Sequence, residues 1–257
     1  MNTILISFNR TIKEYTRDRM IIITTLGVPL FFMILFPMTI FDVPKEYLPQ
    51  MKGFISLTMA TLLIMTASQS NLVGFIVADR ERGLYRKIVS LPINLWEECL
   101  GRIVAVWIFS FFCLGFLGLI SIMNGAFFNF GIFEIIMSLG FLFLIELSTI
   151  GTGLIIASFI KSESVATHFG VALSLLIFFL GGMAIPYSNL PQFIQLFAQI
   201  HPVSSATASI INILIEAEFF GYNSLHFNQI LFTTLLSVII FLIGILIYSK
   251  HSYEDKT

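Results

Sequence analysis

Residues able to do chemistry are sparse in this chain, and most of them share one stretch. Residues 79–102 read DRERGLYRKIVSLPINLWEECLGR and hold five of the fourteen Lys and Arg residues: Arg80, Arg82, Arg86, Lys87 and Arg102. An apolar run long enough to cross a bilayer lies on either side. A charged, helical loop held at a membrane surface is what a membrane protein offers to a soluble partner, and the stretch is read as a docking element. Two further ionisable residues fall at membrane depth. Glu146 lies in the middle of one apolar run, and His168 lies about a turn into the next. Intramembrane ionisable groups are costly and often functional. Together they could carry a proton or an ion. Glu146 reads first as a neutral, hydrogen-bonded group between helices, with the Thr149 hydroxyl on the next turn.

Most other chemistry is excluded. No Lys follows a Gly, so the chain lacks the Gly-x-x-x-x-Gly-Lys phosphate loop and any recognisable means of hydrolysing ATP. There is no His-Glu-x-x-His, no zinc-spaced Cys pair and no Gly-x-Ser-x-Gly. No catalytic, metal-binding or cofactor-binding residue is expected. Cys99 and Cys113 read as small buried apolar residues.

The elements that must position these residues follow from composition. The 257 residues are 57% hydrophobic and 11% charged, with 28 Phe. Soluble domains carry about a quarter charged residues, so this is an all-α integral membrane protein in a single membrane domain. Residues 1–19 form an amphipathic helix, with Ile4, Leu5, Phe8, Ile12 and Tyr15 on one face and Asn9, Arg10, Lys13, Glu14, Arg17 and Asp18 on the other. Such a helix lies along the membrane interface, and no cleavable signal is expected there. Six spans follow, near 20–41, 53–78, 103–123, 132–160, 164–185 and 228–249. Each nears or exceeds the ~20 residues that a bilayer requires. Pro29 and Pro37 interrupt the first span. Twelve of the fourteen Lys and Arg residues fall on the side of the termini, the other two being Lys45 and Lys52. The positive-inside rule then makes both termini cytoplasmic. The segment 186–227 is external, lacks Lys and Arg, and is too apolar for a solvated loop. Its clusters are too short to span, so they read as re-entrant helices that Pro186, Pro191 and Pro202 start or break. Gly151, Gly153 and Ala157 predict close packing of the fourth span, within or between subunits. Abundant Phe, Ile and Asn point to a bacterial source with an AT-rich genome.

The order of three features resembles the permease subunit of the type-2 ABC exporter family. An amphipathic helix precedes six spans. The loop after the second span carries Asp79-Arg80-Glu81-Arg82-Gly83, then Leu91-Pro92, then Gly101-Arg102. The fifth span ends in Gly181-Gly182-Met183-Ala184-Ile185-Pro186, followed by Leu190-Pro191 and His201-Pro202. Leu84 and His201 stand where the family often has Thr and Asn. The resemblance implies that two permease copies, identical or related, pair with two cytoplasmic ATP-binding subunits, which bind the ATP and Mg. This chain would bind no cofactor and no nucleic acid. Residues from about 82 to 89 would be the coupling helix, with Glu81, Arg82, Gly83, Tyr85, Arg86 and Lys87 at the docking surface. The basic residues could also serve as anchors to anionic lipid. The expected substrate path, lined by spans one, two and five, has Phe32, Met33, Met59, Met65, Phe178, Phe179 and Glu146 as candidates, suited to an amphipathic or hydrophobic substrate. The alternatives are a proton- or ion-coupled secondary transporter using Glu146 and His168, and a membrane scaffold or sensor that does not transport.

Overall fold

A chain this apolar must satisfy its backbone internally, because hydrocarbon offers no hydrogen-bond partner. Helices do this within one segment, and the computed structural model contains no strand among the residues it describes: 3–39, 44–85, 95–185, 187–215 and 221–251. In chain order the helices are α1 (Thr3–Arg17), α2 (Arg19–Thr39), α3 (Leu48–Glu81), α4 (Leu95–Met123), α5 (Ile132–Phe159), α6 (Glu163–Leu180), α7 (Gln192–Ile200), α8 (Pro202–Ile215) and α9 (Phe227–His251). Six of them, α2 to α6 and α9, are long and apolar enough to cross a membrane. The expected all-α architecture and span count hold.

The helix α3 is the hub. Its most apolar window is 89% buried, against 17% in α2, 28% in α6 and 22% in α9. The outer helices turn Phe31, Met38, Phe169, Leu176 and Leu242 outward, an apolar surface suited to lipid. Between α3 and α9 lies α5, and its small residues permit the approach. A side chain added at Gly151 would meet the Ile240 carbonyl oxygen of α9 at 2.6 Å, and one at Gly153 the Ser68 carbonyl oxygen of α3 at 2.6 Å. Ala157 is fully buried on the same helix. The small-residue stripe therefore packs within the chain.

Two spans widen to π-helix, at Ile23–Gly27 in α2 and at Thr66–Leu72 in α3. In α2 the reason is Pro29. It has no N–H to give the Thr25 carbonyl, and Val28 reaches back to the Ile23 carbonyl instead. Within the widened turn of α3, the Ala67 carbonyl accepts from the Tyr15 hydroxyl of α1 at 2.7 Å. Asn71 Nδ2 donates to Thr25 Oγ1 at 2.6 Å and joins the two widened segments.

Several boundaries differ from the sequence expectation. The helix α3 runs to Glu81 and α4 begins at Leu95, so the loop is shorter than 79–102, and Asp79 and Arg102 lie within buried helix. The helix α6 ends at Leu180, before Gly182 takes a φ of 75°. The helix α1 does not only present its apolar face to a membrane. It packs on α4 through Ser7, Thr11 and Tyr15, while Leu5 and Ile6 stay exposed. A side chain at Gly101 of α4 would meet the Ile4 carbonyl at 2.5 Å, so the two backbones nearly touch. In the segment 186–227, Pro191 caps α7 and Pro202 opens α8, as expected. At 14 residues α8 spans about 21 Å, too short to cross. It is buried along almost its whole length, whereas α7 exposes Phe193 and Leu196.

Candidate coupling site at the base of the bundle

The base is the end where α1, the end of α3, the start of α4 and the end of α9 meet. Four consecutive residues at the end of α3 each take a different task there. Asp79 is 1% exposed and accepts from Arg102 of α4 at 2.5 Å and from Arg10 of α1. The Arg80 guanidinium donates to the Ala157 carbonyl near the end of α5. It thereby answers a carbonyl that helix termini leave free. The Glu81 carboxylate accepts from the Glu163 N–H at 3.0 Å, at the start of α6, where the helix dipole favours negative charge. Arg82 turns to the cleft beside α1. Gly83 then ends the helix with a φ of 70°, a left-handed turn that glycine adopts without strain.

The buried charges form one network. Arg102 also donates to Glu98, one turn earlier on α4. The Tyr248 hydroxyl of α9 donates to Glu98 at 3.2 Å and lies 2.7 Å from the Tyr85 hydroxyl. Ser7 of α1 donates to the Glu98 carbonyl at 2.8 Å. Glu14 pairs with Arg10 at 3.1 Å. Burial lifts the Glu14 carboxyl above its ordinary range, and the Arg102 guanidinium pulls it partly back. Burial pushes the Tyr15 phenol well above its ordinary range, so it serves as a neutral donor. The buried Arg102 and the partly exposed Arg10 between them meet two buried carboxylates, Asp79 and Glu98, with hydroxyls added around them. Ion pairs out of water need such added hydrogen bonds to offset desolvation.

A second polar layer lies deeper. Glu146 of α5 is 1% exposed and accepts from Ser110 of α4 at 3.1 Å and from Ser68 of α3 at 3.4 Å. Gln69 of α3 donates to Thr152 of α5 at 2.7 Å and accepts from Ser174 of α6 at 2.9 Å. The widened turn of α3 thus reaches α2, α5 and α6 through neutral hydroxyls and amides, with Glu146 the one carboxyl in this layer among the described residues.

The family model described as ABC-2 type transporter matches residues 2–215, from α1 through α8. The chain belongs to the ABC-2 type transporter family. Comparison with curated protein sequences returns no match. As an ABC-2 membrane domain the chain is a membrane permease of an ABC transporter, a transmembrane component normally without catalysis of its own. The family implies association with ATP-binding subunits.

In this permease the expected docking residues divide. Arg82 is exposed and Gly83 half-buried, whereas Tyr85, expected at the surface, is 4% exposed and faces Tyr248. Glu81 is exposed but already bonded to α6. Arg86 and Lys87 lie outside the described residues, as does Pro186. Of the expected path residues, Met33, Met59, Met65 and Phe178 are buried in the packed core, Phe32 is half-buried, and Phe179 is exposed. Glu146 takes its hydroxyl partners from α3 and α4, not from Thr149, which bonds to the Ile145 and Glu146 carbonyls. His168 is exposed and bonds to the Ser164 carbonyl. No hydrogen bond among the described residues joins it to Glu146. Cys99 and Cys113 are free and buried. His201 stacks on Phe197 at 5.1 Å, and burial lowers its pKa to about 4, leaving it neutral. Sequence reasoning missed Glu98 and Tyr248. The spacing of Glu98 and Arg102 at i, i+4 was the available signal for the first. Nothing local marks the second.

Proposed function

We propose that this chain is the non-catalytic membrane subunit of an ATP-driven exporter, docked to separate ATP-binding subunits through the segment that joins α3 to α4. Two permease copies and two ATP-binding subunits make the assembly, and the partner subunits bind the ATP and Mg. One observation carries this reading: both ends of the segment are anchored in the base network. After α3 ends at Glu81 the chain is held at Tyr85, which meets Tyr248 of α9. It rejoins the bundle at Leu95, one turn before Glu98. A displacement of residues 86–94 would therefore reach α3, α4, α9 and α1 together. Rigid-body rocking of packed helices is an established route for such a displacement. Arg82, Arg86 and Lys87 supply the charge that meets the partner, and Gly83 gives the chain its turn out of α3.

Both termini and this segment face the cytoplasm, on the Lys and Arg distribution. The α7–α8 segment, without Lys or Arg, faces outward and dips into the outer leaflet. The cell membrane is that of a bacterium. Substrate passes between the two permeases, where Phe32 of α2 and Phe179 of α6 remain accessible and suit an amphipathic or hydrophobic molecule.

The test is to purify the permease from its native membrane and assay what accompanies it. A stoichiometric ATPase that is lost on Arg86→Glu or Lys87→Glu, with the permease still folded, supports the docking segment. Folded permease without an ATPase, or unchanged ATPase binding in both variants, would overturn it. ATP-dependent uptake of an amphipathic dye into inside-out vesicles is the outcome for export. Uptake only into right-side-out vesicles would mean import.

A further inference from the structure

A cleft of about 940 Å³ opens between α1, the start of α2, the end of α3 and the start of α6. Lys13, Arg17, Arg19 and Arg82 line it, and none has a carboxylate partner within ion-pair distance among the described residues. Most of the acids on its wall are engaged. Asp79 and Glu14 are held by Arg10, and Asp18 accepts from the Met20 N–H at the start of α2. Asp18 and Glu163 are the acids left to oppose these four cations, so the cleft carries excess positive charge. Part of its wall is apolar, from Ile6, Phe75 and Ala78. Met20 and Ile23 are exposed on the first turns of α2, which begins at the cleft residue Arg19.

We propose that this cleft binds the phosphate of an anionic phospholipid from the leaflet at the end of the bundle that carries both termini. The cations take the phosphate oxygens, and the acyl chains run down the apolar surface of Ile6, Met20 and Ile23. A soluble phosphate would use only the cations, and a soluble protein would leave that apolar surface uncovered. A phospholipid uses both in the order in which they occur. The site fastens α1 to the starts of α2 and α6, next to the charge network, and shares only Arg82 with the docking segment.

The test uses the full-length permease alone, reconstituted in nanodiscs of phosphatidylcholine with phosphatidylglycerol, with retained lipid read by native mass spectrometry. One retained phosphatidylglycerol is expected, with no retained phosphatidylcholine. A near-surface cation contributes about 1 kcal/mol to anionic-lipid binding, or about fivefold. The Lys13→Gln/Arg17→Gln/Arg19→Gln variant should therefore lose on the order of a hundredfold in retention. Lys250→Gln, on the same side but outside the cleft, should lose none. If the triple variant does not fold, Arg17→Gln alone should lose about fivefold. Unchanged retention in the cleft variants, or equal loss in Lys250→Gln, would overturn the site. Displacement by inorganic phosphate would make it a free-phosphate site, and displacement by a purified ATP-binding subunit would make it a protein-docking surface. Either would overturn the lipid assignment. None of these readings depends on whether residues 86–94 dock an ATPase.

Discussion

At its base, α3 is tied to its neighbours by Asp79, Arg80 and Glu81. Some ten residues deeper it is tied by Ser68, Gln69 and Asn71. The first set uses full charges against guanidinium groups and helix ends. The second uses hydroxyls and amides that bridge four helices. Depth explains the choice. A full charge becomes more costly toward the bilayer centre, while neutral interhelical hydrogen bonds there contribute only about 0.6 kcal/mol each. The base is thus a rigid collar whose pairs are costly to break singly. The middle is a set of weak contacts around a π-widened turn, the kind of irregularity that often marks functional positions.

The largest effect should come from breaking the collar. Arg102→Met strands two buried carboxylates, Asp79 and Glu98, with Arg10 as the remaining cation. The expected loss is about 3–5 kcal/mol, seen as a lowered unfolding midpoint in detergent. Adding Glu98→Gln should restore part of it, and no recovery would show that stranded charge is not the cause. The close packing of α5 comes next. Gly153→Leu drives a side chain into the Ser68 carbonyl and should cost about 1–3 kcal/mol. Tyr15→Phe removes the donor to the Ala67 carbonyl in the widened turn and should cost about 1 kcal/mol by the same assay. The smallest effect belongs to Glu146→Gln, which keeps an acceptor for Ser68 and Ser110. Stability should change by less than about 1 kcal/mol, with transport retained. Loss of transport with normal folding would instead give the Glu146 proton a role and blur the distinction between collar and middle.

Much of the fold was legible because a membrane imposes length and composition on its spans. The six spans and the Pro191 and Pro202 breaks follow from local rules. The candidate site was legible only in part. The run from Asp79 to Arg82 stood out by charge but read as one surface. Its residues point around a helix, so each meets a different neighbour, and periodicity alone does not say which. The partners are also remote in sequence: Arg10 is 69 residues from Asp79, and Tyr248 is 150 from Glu98. Glu146 was recognised as a polar group at depth. Its partners lie on α3 and α4, and no spacing on α5 reports them.

The most direct test of coupling through the collar is a double-mutant cycle on Tyr85 and Tyr248 in the complex with the ATP-binding subunits, reading transported substrate per ATP hydrolysed. Tyr85→Phe and Tyr248→Phe should each lower that ratio while hydrolysis and subunit binding persist, and the double variant should be no worse than the more impaired single one. An unchanged ratio, or losses that simply add, would contradict the claim that the docking segment drives the bundle through this network.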